Sequence, residues 1–197
     1  MNKSKESFAA PVAVLSIICL VVSLALAFTF KVADPIIQRN TKAAADAARK
    51  QLLTEADDFQ LEEGVEFQTS EDGKAVVQEV YSAINGAGYV MTVETKSFGG
   101  ALTMMVGLDG EGSITGVTVT EHADTPGVGT KDQDPAYLAQ YSGLTALTSA
   151  GNIKKEAAQR ASGGTFEFIS GASVSGQAIH SGVAAALSQF AAMGGAQ

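Results

Sequence analysis

Leu102-Thr103-Met104-Met105-Val106-Gly107-Leu108 reads as a β-strand whose continuous apolar character predicts burial on both faces. Asp109-Gly110-Glu111-Gly112 follows as a turn, and Ile114 to Thr120 returns as a further strand. Upstream, from Ala75, the residues Val76, Gln78, Val80 and Ser82 alternate with Val77, Glu79, Tyr81 and Ala83, and Tyr89 to Glu94 is another strand. Adjacent strands joined by short glycine turns predict an antiparallel meander. Helical patterns before and after it make the domain α+β, an antiparallel sheet with flanking helices.

Beyond the fourth strand comes Glu121-His122-Ala123-Asp124-Thr125-Pro126-Gly127-Val128-Gly129. The Pro-Gly pair favours a tight turn, and the glycines let a flat ligand approach the backbone. Residues 135–161 read as a short helix, a loop and a charged helical piece carrying Lys154, Lys155, Glu156 and Arg160. Thr165 to Ile169 is a last short strand. It runs into Glu167-Phe168-Ile169-Ser170-Gly171-Ala172-Ser173-Val174-Ser175-Gly176, crowded with small and hydroxylated residues. An amphipathic helix follows, with Ile179, Val183, Leu187 and Phe190 on one stripe. Ser173 and Ser175 sit just before or at its start, where free N–H groups and the helix dipole suit a phosphate. His180, on the same helix, reads as a surface residue.

At the other end, Phe8 to Phe30 contains no charged residue and is long enough to span a ~30 Å hydrocarbon core as a helix. Lys3 and Lys5 precede it and favour a cytoplasmic N-terminus. Ala25-Leu26-Ala27 is an acceptable signal cleavage site, but the run is longer than a signal core and continues as Phe28-Thr29-Phe30. An uncleaved single-pass anchor with an extracytoplasmic C-terminal domain is expected. Asp34-Pro35 is expected to interrupt or restart the helix. Ile36 to about Leu53 then reads as an alanine-rich helix, either a stalk or the first helix of the soluble domain. Residues 54–74 are acidic and read as a solvated surface with a turn at Asp72-Gly73. The organisation expected is 1–33 for the N-terminus and anchor, 34–74 for the stalk and acidic connection, and 75–197 for the principal domain.

The chain of 197 residues has a formal net charge of −8; residues 1–30 carry +1, which leaves −9 for residues 31–197. That balance excludes nucleic acid as a partner class. Cys19 is the only cysteine and lies in the apolar run, so no disulfide framework is expected. His122 and His180 are far apart, without metal-ligand spacing, and no metal site is expected. A nucleophile elbow fails at Gly171-Ala172-Ser173-Val174-Ser175, because Ser175 stands where its second glycine belongs. Gly127-Val128-Gly129 lacks the third glycine and the following helix of a dinucleotide fingerprint. Read from the residues alone, Ser170 and Ser173 are helix-capping residues.

Glu167, Ser170-Gly171-Ala172-Ser173 and Ser175 together resemble the flavinylation motif of the FMN-binding domain family, Asp-x-x-Ser-Gly-Ala-Thr-x-Thr/Ser. Glu121-His122 followed by Thr125-Pro126-Gly127-Val128-Gly129 resembles that family's second signature, Glu-Thr-Pro-Gly-Leu-Gly, with Asp124 in the place of its Glu. The resemblance covers most of residues 75–190. It implies FMN attached covalently through a phosphoester to Ser173, with Ser175 as the rival hydroxyl, and the flavin ring over the Thr125–Gly129 loop. Ser173 replaces the usual Thr and Glu167 the usual Asp; both keep the chemistry. No residue is implied to act as a catalytic acid, base or nucleophile, and the hydroxyl is implied to be the substrate of a separate flavin transferase. The single span and the length are similar to those of the G subunit of the Rnf electron-transport complex. The C subunit of the sodium-pumping NADH:quinone reductase is a related case. What this implies is an electron carrier in the cell membrane of a bacterium or archaeon. Its partners would be the other membrane subunits of an ion-translocating ferredoxin:NAD oxidoreductase. The alternatives are a flavinylated subunit of a related complex and a membrane-tethered module without flavin.

Overall fold

The computed structural model describes residues 9–147, 166 and 169–194. The chain divides into two compact units, Met1–Ala44 and Ala45–Gln197. The first helix, α1 (Ala9–Leu52), contributes to both.

In the first unit, α1 carries no charged residue from Ala9 to Phe30. Leu15, Leu20, Leu24, Phe28 and Phe30 are all exposed, and no residue of its most apolar window is buried. Among the described residues this is the one helix long and apolar enough to cross a membrane. Such a stretch is long enough, as a helix, for a ~30 Å hydrocarbon core. The break expected at Asp34-Pro35 is absent: Pro35 lies inside α1. Its ring fixes φ near the helical value, so the helix continues with one backbone hydrogen bond fewer. Asp34 also accepts a bond from Gln38 Nε2 (2.8 Å) one turn on.

The second unit is built on a five-stranded antiparallel meander in the order β1 (Phe59–Leu61), β2 (Ala75–Ala83), β3 (Gly88–Lys96), β4 (Ala101–Asp109) and β5 (Ile114–His122). The four long strands fall on the segments read as strands, β4 on the continuous apolar run. The three-residue β1 lies within the acidic stretch, where no pattern announced it. A short 3-10 segment (Gly129–Gln133), the single-turn α2 (Pro135–Leu138) and a second 3-10 turn (Ala139–Tyr141) lead away from β5. The last helix is α3 (Ser173–Ala192). The strand expected at 165–169 lies outside the described residues apart from Phe166 and Ile169, and the charged helical piece after Leu147 lies outside them altogether.

β4 is buried on both faces, as its composition requires. Leu102, Met104, Val106 and Leu108 join the core under α3, with Val77, Val80, Met91, Val93, Ile179, Val183, Leu187 and Phe190. Met105 faces the other way and packs with Val90, Ala83, Leu52 and Leu53 beneath the last two turns of α1. Thr115 Oγ1 donates to Leu52 O (2.5 Å) and fixes that end of α1 to β5.

α3 is covered on more than its apolar stripe. Ser181 Oγ donates to Asp72 Oδ2 (2.7 Å), Gln189 Oε1 accepts from Gln68 N (2.8 Å), and Gln189 Nε2 donates to Glu66 O (3.2 Å). The segment before β2 therefore caps the far side of the helix, and its polar groups match those of α3. His180 is fully buried rather than at the surface. Its ring meets Phe166 edge-on at 4.9 Å, and its Nδ1 lies 3.4 Å from Tyr141 Oη.

Candidate functional site

Thr125 to Val128 form a turn that the sequence dictates. Val128 N–H donates to Thr125 O (3.2 Å), Pro126 holds the second position, and Gly127 takes φ +76° at the third. This is type II geometry, in which a residue with a side chain at the third position would be strained. Gly129 N–H also returns to Thr125 O (3.1 Å). The turn projects from the end of β5 and faces the start of α3.

There it forms one wall of a cleft of about 510 Å³ lined by Phe98, Asp124, Thr125, Val128 and Gly129 on one side and Gly171 to Ser175 on the other. A volume in the range ~300–1,000 Å³ is that of small-molecule and cofactor sites. The two sequence signatures, almost fifty residues apart, are thus opposite walls of one cavity. Thr125, Val128, Gly129, Gly171, Ala172, Ser173 and Ser175 all line it. Pro126 and Gly127 shape the turn behind that lining. Ser170 is exposed one residue before it. Glu121 and His122 are exposed at the end of β5, paired with Thr103 and Leu102, and do not line the cleft. Glu167 lies outside the described residues.

The start of α3 departs from the capping expectation. Its N-cap is Ala172, and no side chain of the described residues caps it. Ala is among the poorest N-cap residues, and the first-turn amides have no helical acceptor. Ser173 is the first helical residue and is half-buried at the cleft, whereas Ser175 is 1% exposed.

Ser175 is held in a buried polar network. Ser97 Oγ lies 2.6 and 2.8 Å from the two carboxylate oxygens of Asp124 and 3.1 Å from Ser175 Oγ. The single Ser97 proton goes to the carboxylate, so Ser175 donates to Ser97. Gly99 N–H donates to Asp124 Oδ1 (2.8 Å). Gly129 belongs here by close approach: a Cβ on it would stand 2.9 Å from both Asp124 Cβ and Ser175 Oγ.

Below this floor lies Asp132, fully buried, with neither carboxylate oxygen hydrogen-bonded among the described residues. Burial pushes its carboxyl up to about 6, the Asp124 charge adds to the rise, and the Gly176 amide opposes it in part. That amide's own hydrogen bond goes to Ala172 O (3.0 Å). Burial, then the charge of Asp132, likewise raises the Tyr137 hydroxyl to about 12.

Sequence reasoning missed Ser97, Phe98 and Asp132. Phe98 is 77% exposed at the tip of the β3–β4 hairpin and closes one rim of the cleft. An aromatic residue followed by Gly99-Gly100 in a hairpin loop was its available signal. Asp132 gave none, since an aspartate in a polar loop is ordinarily solvated.

Comparison with known proteins agrees with this geometry. Residues 97–188 match the FMN-binding domain, beginning at Ser97 and ending within α3. The G subunit of the ion-translocating oxidoreductase complex of Methanosarcina acetivorans is 29% identical over 91% of this chain and 92% of its own. The G subunit of the Na(+)-translocating ferredoxin:NAD(+) oxidoreductase complex of Acetobacterium woodii is 27% identical over 86% of this chain and 85% of its own. The G subunit of the proton-translocating ferredoxin:NAD(+) oxidoreductase complex of Clostridium ljungdahlii is 22% identical over 95% and 94%. The crystal structure of Shewanella oneidensis NqrC aligns with a TM-score of 0.42 at 21% identity, over 59% of this chain and 62% of that one. The chain that carries this match is similar over nearly its whole length to the G subunits of these ion-translocating complexes.

Proposed function

We propose that this chain is a membrane-anchored electron carrier that holds FMN through a phosphoester to Ser173. It would relay electrons within an ion-translocating ferredoxin:NAD oxidoreductase complex of the Rnf type. The single observation that carries this reading is the position of Ser173. It opens α3 on an uncapped helix start and faces, across one cleft, the turn formed by the second signature.

The residues present fit the group. The first-turn amides of α3 are suited to a phosphate, with no side chain of the described residues capping them. Ala172 and Gly171 leave the Ser173 hydroxyl approachable by a transferase. Ser175, the rival hydroxyl, is buried and engaged with Ser97, which favours Ser173 as the attachment point. The Thr125–Gly129 turn and Phe98 would hold the ring on the opposite wall, with Val128 and Val174 supplying apolar contact. FMN bound there supplies one- and two-electron redox chemistry, while the protein supplies attachment, orientation and local charge.

The rest of the chain supports the same role. α1 anchors the domain, and Lys3 and Lys5 before it favour a cytoplasmic N-terminus and an extracytoplasmic cleft. Outside the cytoplasm a freely dissociating cofactor would be lost, and a covalent ester removes that loss. The partners proposed are the other membrane subunits of the complex, and a separate flavin transferase for maturation. The similarity to the G subunits of three such complexes supports that assignment.

The test is an intact mass with peptide mapping on protein extracted from its native membrane. The expected result is an added mass of FMN less one water on the peptide containing Ser173. An unmodified Ser173 in cells with an active flavin transferase overturns the reading.

A further inference from the structure

We propose that Asp124 and Asp132 form a proton-linked pair beneath the cleft, holding one proton on Asp132 and binding it more tightly when a negative charge is seated at Ser173.

The argument begins with a placement. Gly129 and Asp132 are three residues apart in the 3-10 segment Gly129–Gln133, and in a 3-10 helix such residues lie on one face. The face that Gly129 presents packs directly on Asp124 Cβ and Ser175 Oγ. Asp132 therefore continues the wall of the cleft downwards, behind the turn that lines it. It is 0% exposed and both its oxygens are without a hydrogen-bond donor among the described residues. Asp124, 4% exposed, has two donors, Ser97 Oγ and Gly99 N–H. The Asp124 charge reaches Asp132, and two buried carboxylates that interact in this way do not both ionise readily. The proton settles on Asp132, which among the described residues has only the Gly176 amide near it, itself bonded to Ala172 O, and burial with the Asp124 charge raises that group towards neutral pH.

Among the described residues no cation is paired with Asp132. Among the described residues the ion pairs are those of Arg49 with Asp46 and Glu79 and of Lys74 with Asp72. Among the described residues the titratable groups whose charge couples to Asp132 are Asp124, from the loop after β5, and Tyr137, from α2. From α3 it meets the Gly176 amide; α3 contains no Asp, Glu, Lys or Arg, and its buried titratable side chain, His180, packs on Tyr141 and Phe166. A proton is thus the means by which this cluster adjusts its charge. Ser173 and Asp124 line the same cleft, so an anion at Ser173 adds a further negative charge to that of Asp124 and strengthens the hold of Asp132 on its proton. The proton that offsets it comes from solvent: for each negative charge seated, up to one proton is taken up, and no bond other than the Asp132 O–H forms. The loaded form of this linkage rests on the function proposed above; the unloaded form does not.

The test is an infrared pH titration of the full chain in detergent in four forms. These are the unloaded protein made without flavin transferase, Ser173→Asp, the FMN-loaded protein verified by mass, and Asp132→Asn. The expected result is a protonated-carboxyl band missing from Asp132→Asn. Its pH of half-loss should be higher in Ser173→Asp and in the loaded protein by about one unit, a tenfold tighter hold on the proton. A band unaffected by Asp132→Asn, or the same midpoint with and without Ser173→Asp, overturns the proposal. Should Asp132→Asn fail to fold, Asp124→Asn replaces it and is expected to move the midpoint down. A midpoint unmoved by that change also overturns the pair. If the mass spectrum finds no FMN on Ser173, the functional reading falls. The comparison of Ser173→Asp with the unloaded protein still decides the linkage.

Discussion

Gly129 lies so close to Ser175 that a Cβ on it would stand 2.9 Å from Ser175 Oγ, against the carboxylate-bearing carbon chain of Asp124 on its other side. The contact joins the turn of one signature to the helix start of the other. Gly129→Ala must push apart two groups held by buried hydrogen bonds. Overpacking of this kind costs about 1–3 kcal/mol. Chemical denaturation of the unloaded chain should show that loss, and flavin loading measured by intact mass should fall with it. Unchanged stability would mean that the two walls are free to separate.

The two serines at the start of α3 should behave differently. Ser173→Ala removes a half-buried hydroxyl that makes no cap and should abolish the added mass with little effect on stability. Ser175→Ala leaves Ser97 without its second partner and should destabilise the domain by about 1 kcal/mol while the flavin stays attached. Peptide mapping of the two variants separates the outcomes. Ser173→Thr should load as well as the native chain, because a hydroxyl is retained at the same helical position.

Much of this was legible in the sequence, for reasons that particular residues make plain. Alternation over 75–83 and the unbroken apolar run at 102–108 placed strands because side chains alternate faces whatever surrounds them. The stripe Ile179, Val183, Leu187 and Phe190 placed a helix for the equivalent reason. What escaped was set by partners distant in the chain. His180 is buried because Phe166 and Tyr141 close over it, and β1 exists because Phe59 to Leu61 pair with Tyr81 to Ala83. The helix ran through Pro35 because proline is a tolerated cost where its neighbours favour a helix. In the site, the motif residues were visible as motifs. Asp132 was not, because its burial is a property of the packed 3-10 turn and not of its neighbours in sequence.

Phe98 offers a test of the rim. It is 77% exposed, so Phe98→Ala should change stability by no more than about 0.5 kcal/mol. In the loaded protein the same change should open one side of the cleft. Collisional quenching of flavin fluorescence by iodide should then rise relative to the native chain. Equal quenching in the two proteins would place the ring away from the β3–β4 hairpin.

The pH dependence of stability should carry a signature of Asp132. Its carboxyl stands at about 6 in the folded chain, raised from 3.8 chiefly by burial and then by Asp124. Below about pH 4 both the folded and unfolded chains hold the proton, and the group has no effect. Between about pH 4 and 6 the unfolded chain releases it while the folded chain keeps it. The folded state then binds more protons, so stability falls as pH rises through this window. Above about 6 the full penalty is present, on the order of 2–3 kcal/mol for a shift of this size. Asp132→Asn removes the titration and keeps the shape. The variant should therefore be no more stable than the native chain at pH 4 and more stable at pH 7, by about 1–3 kcal/mol. Asp72 acts in the opposite sense: burial would raise it, but the Ser70 and Ser181 hydroxyls, the Lys74 amide and the Lys74 charge outweigh that and hold it low. Its stabilisation is lost as pH falls through its lowered value, so it contributes at the acid end and cancels in the comparison of native with Asp132→Asn. Urea denaturation of both proteins from pH 4 to 8 measures the difference directly. A gap that stays constant across that range would show that Asp132 is ionised throughout, and would require a cation or donor beside it.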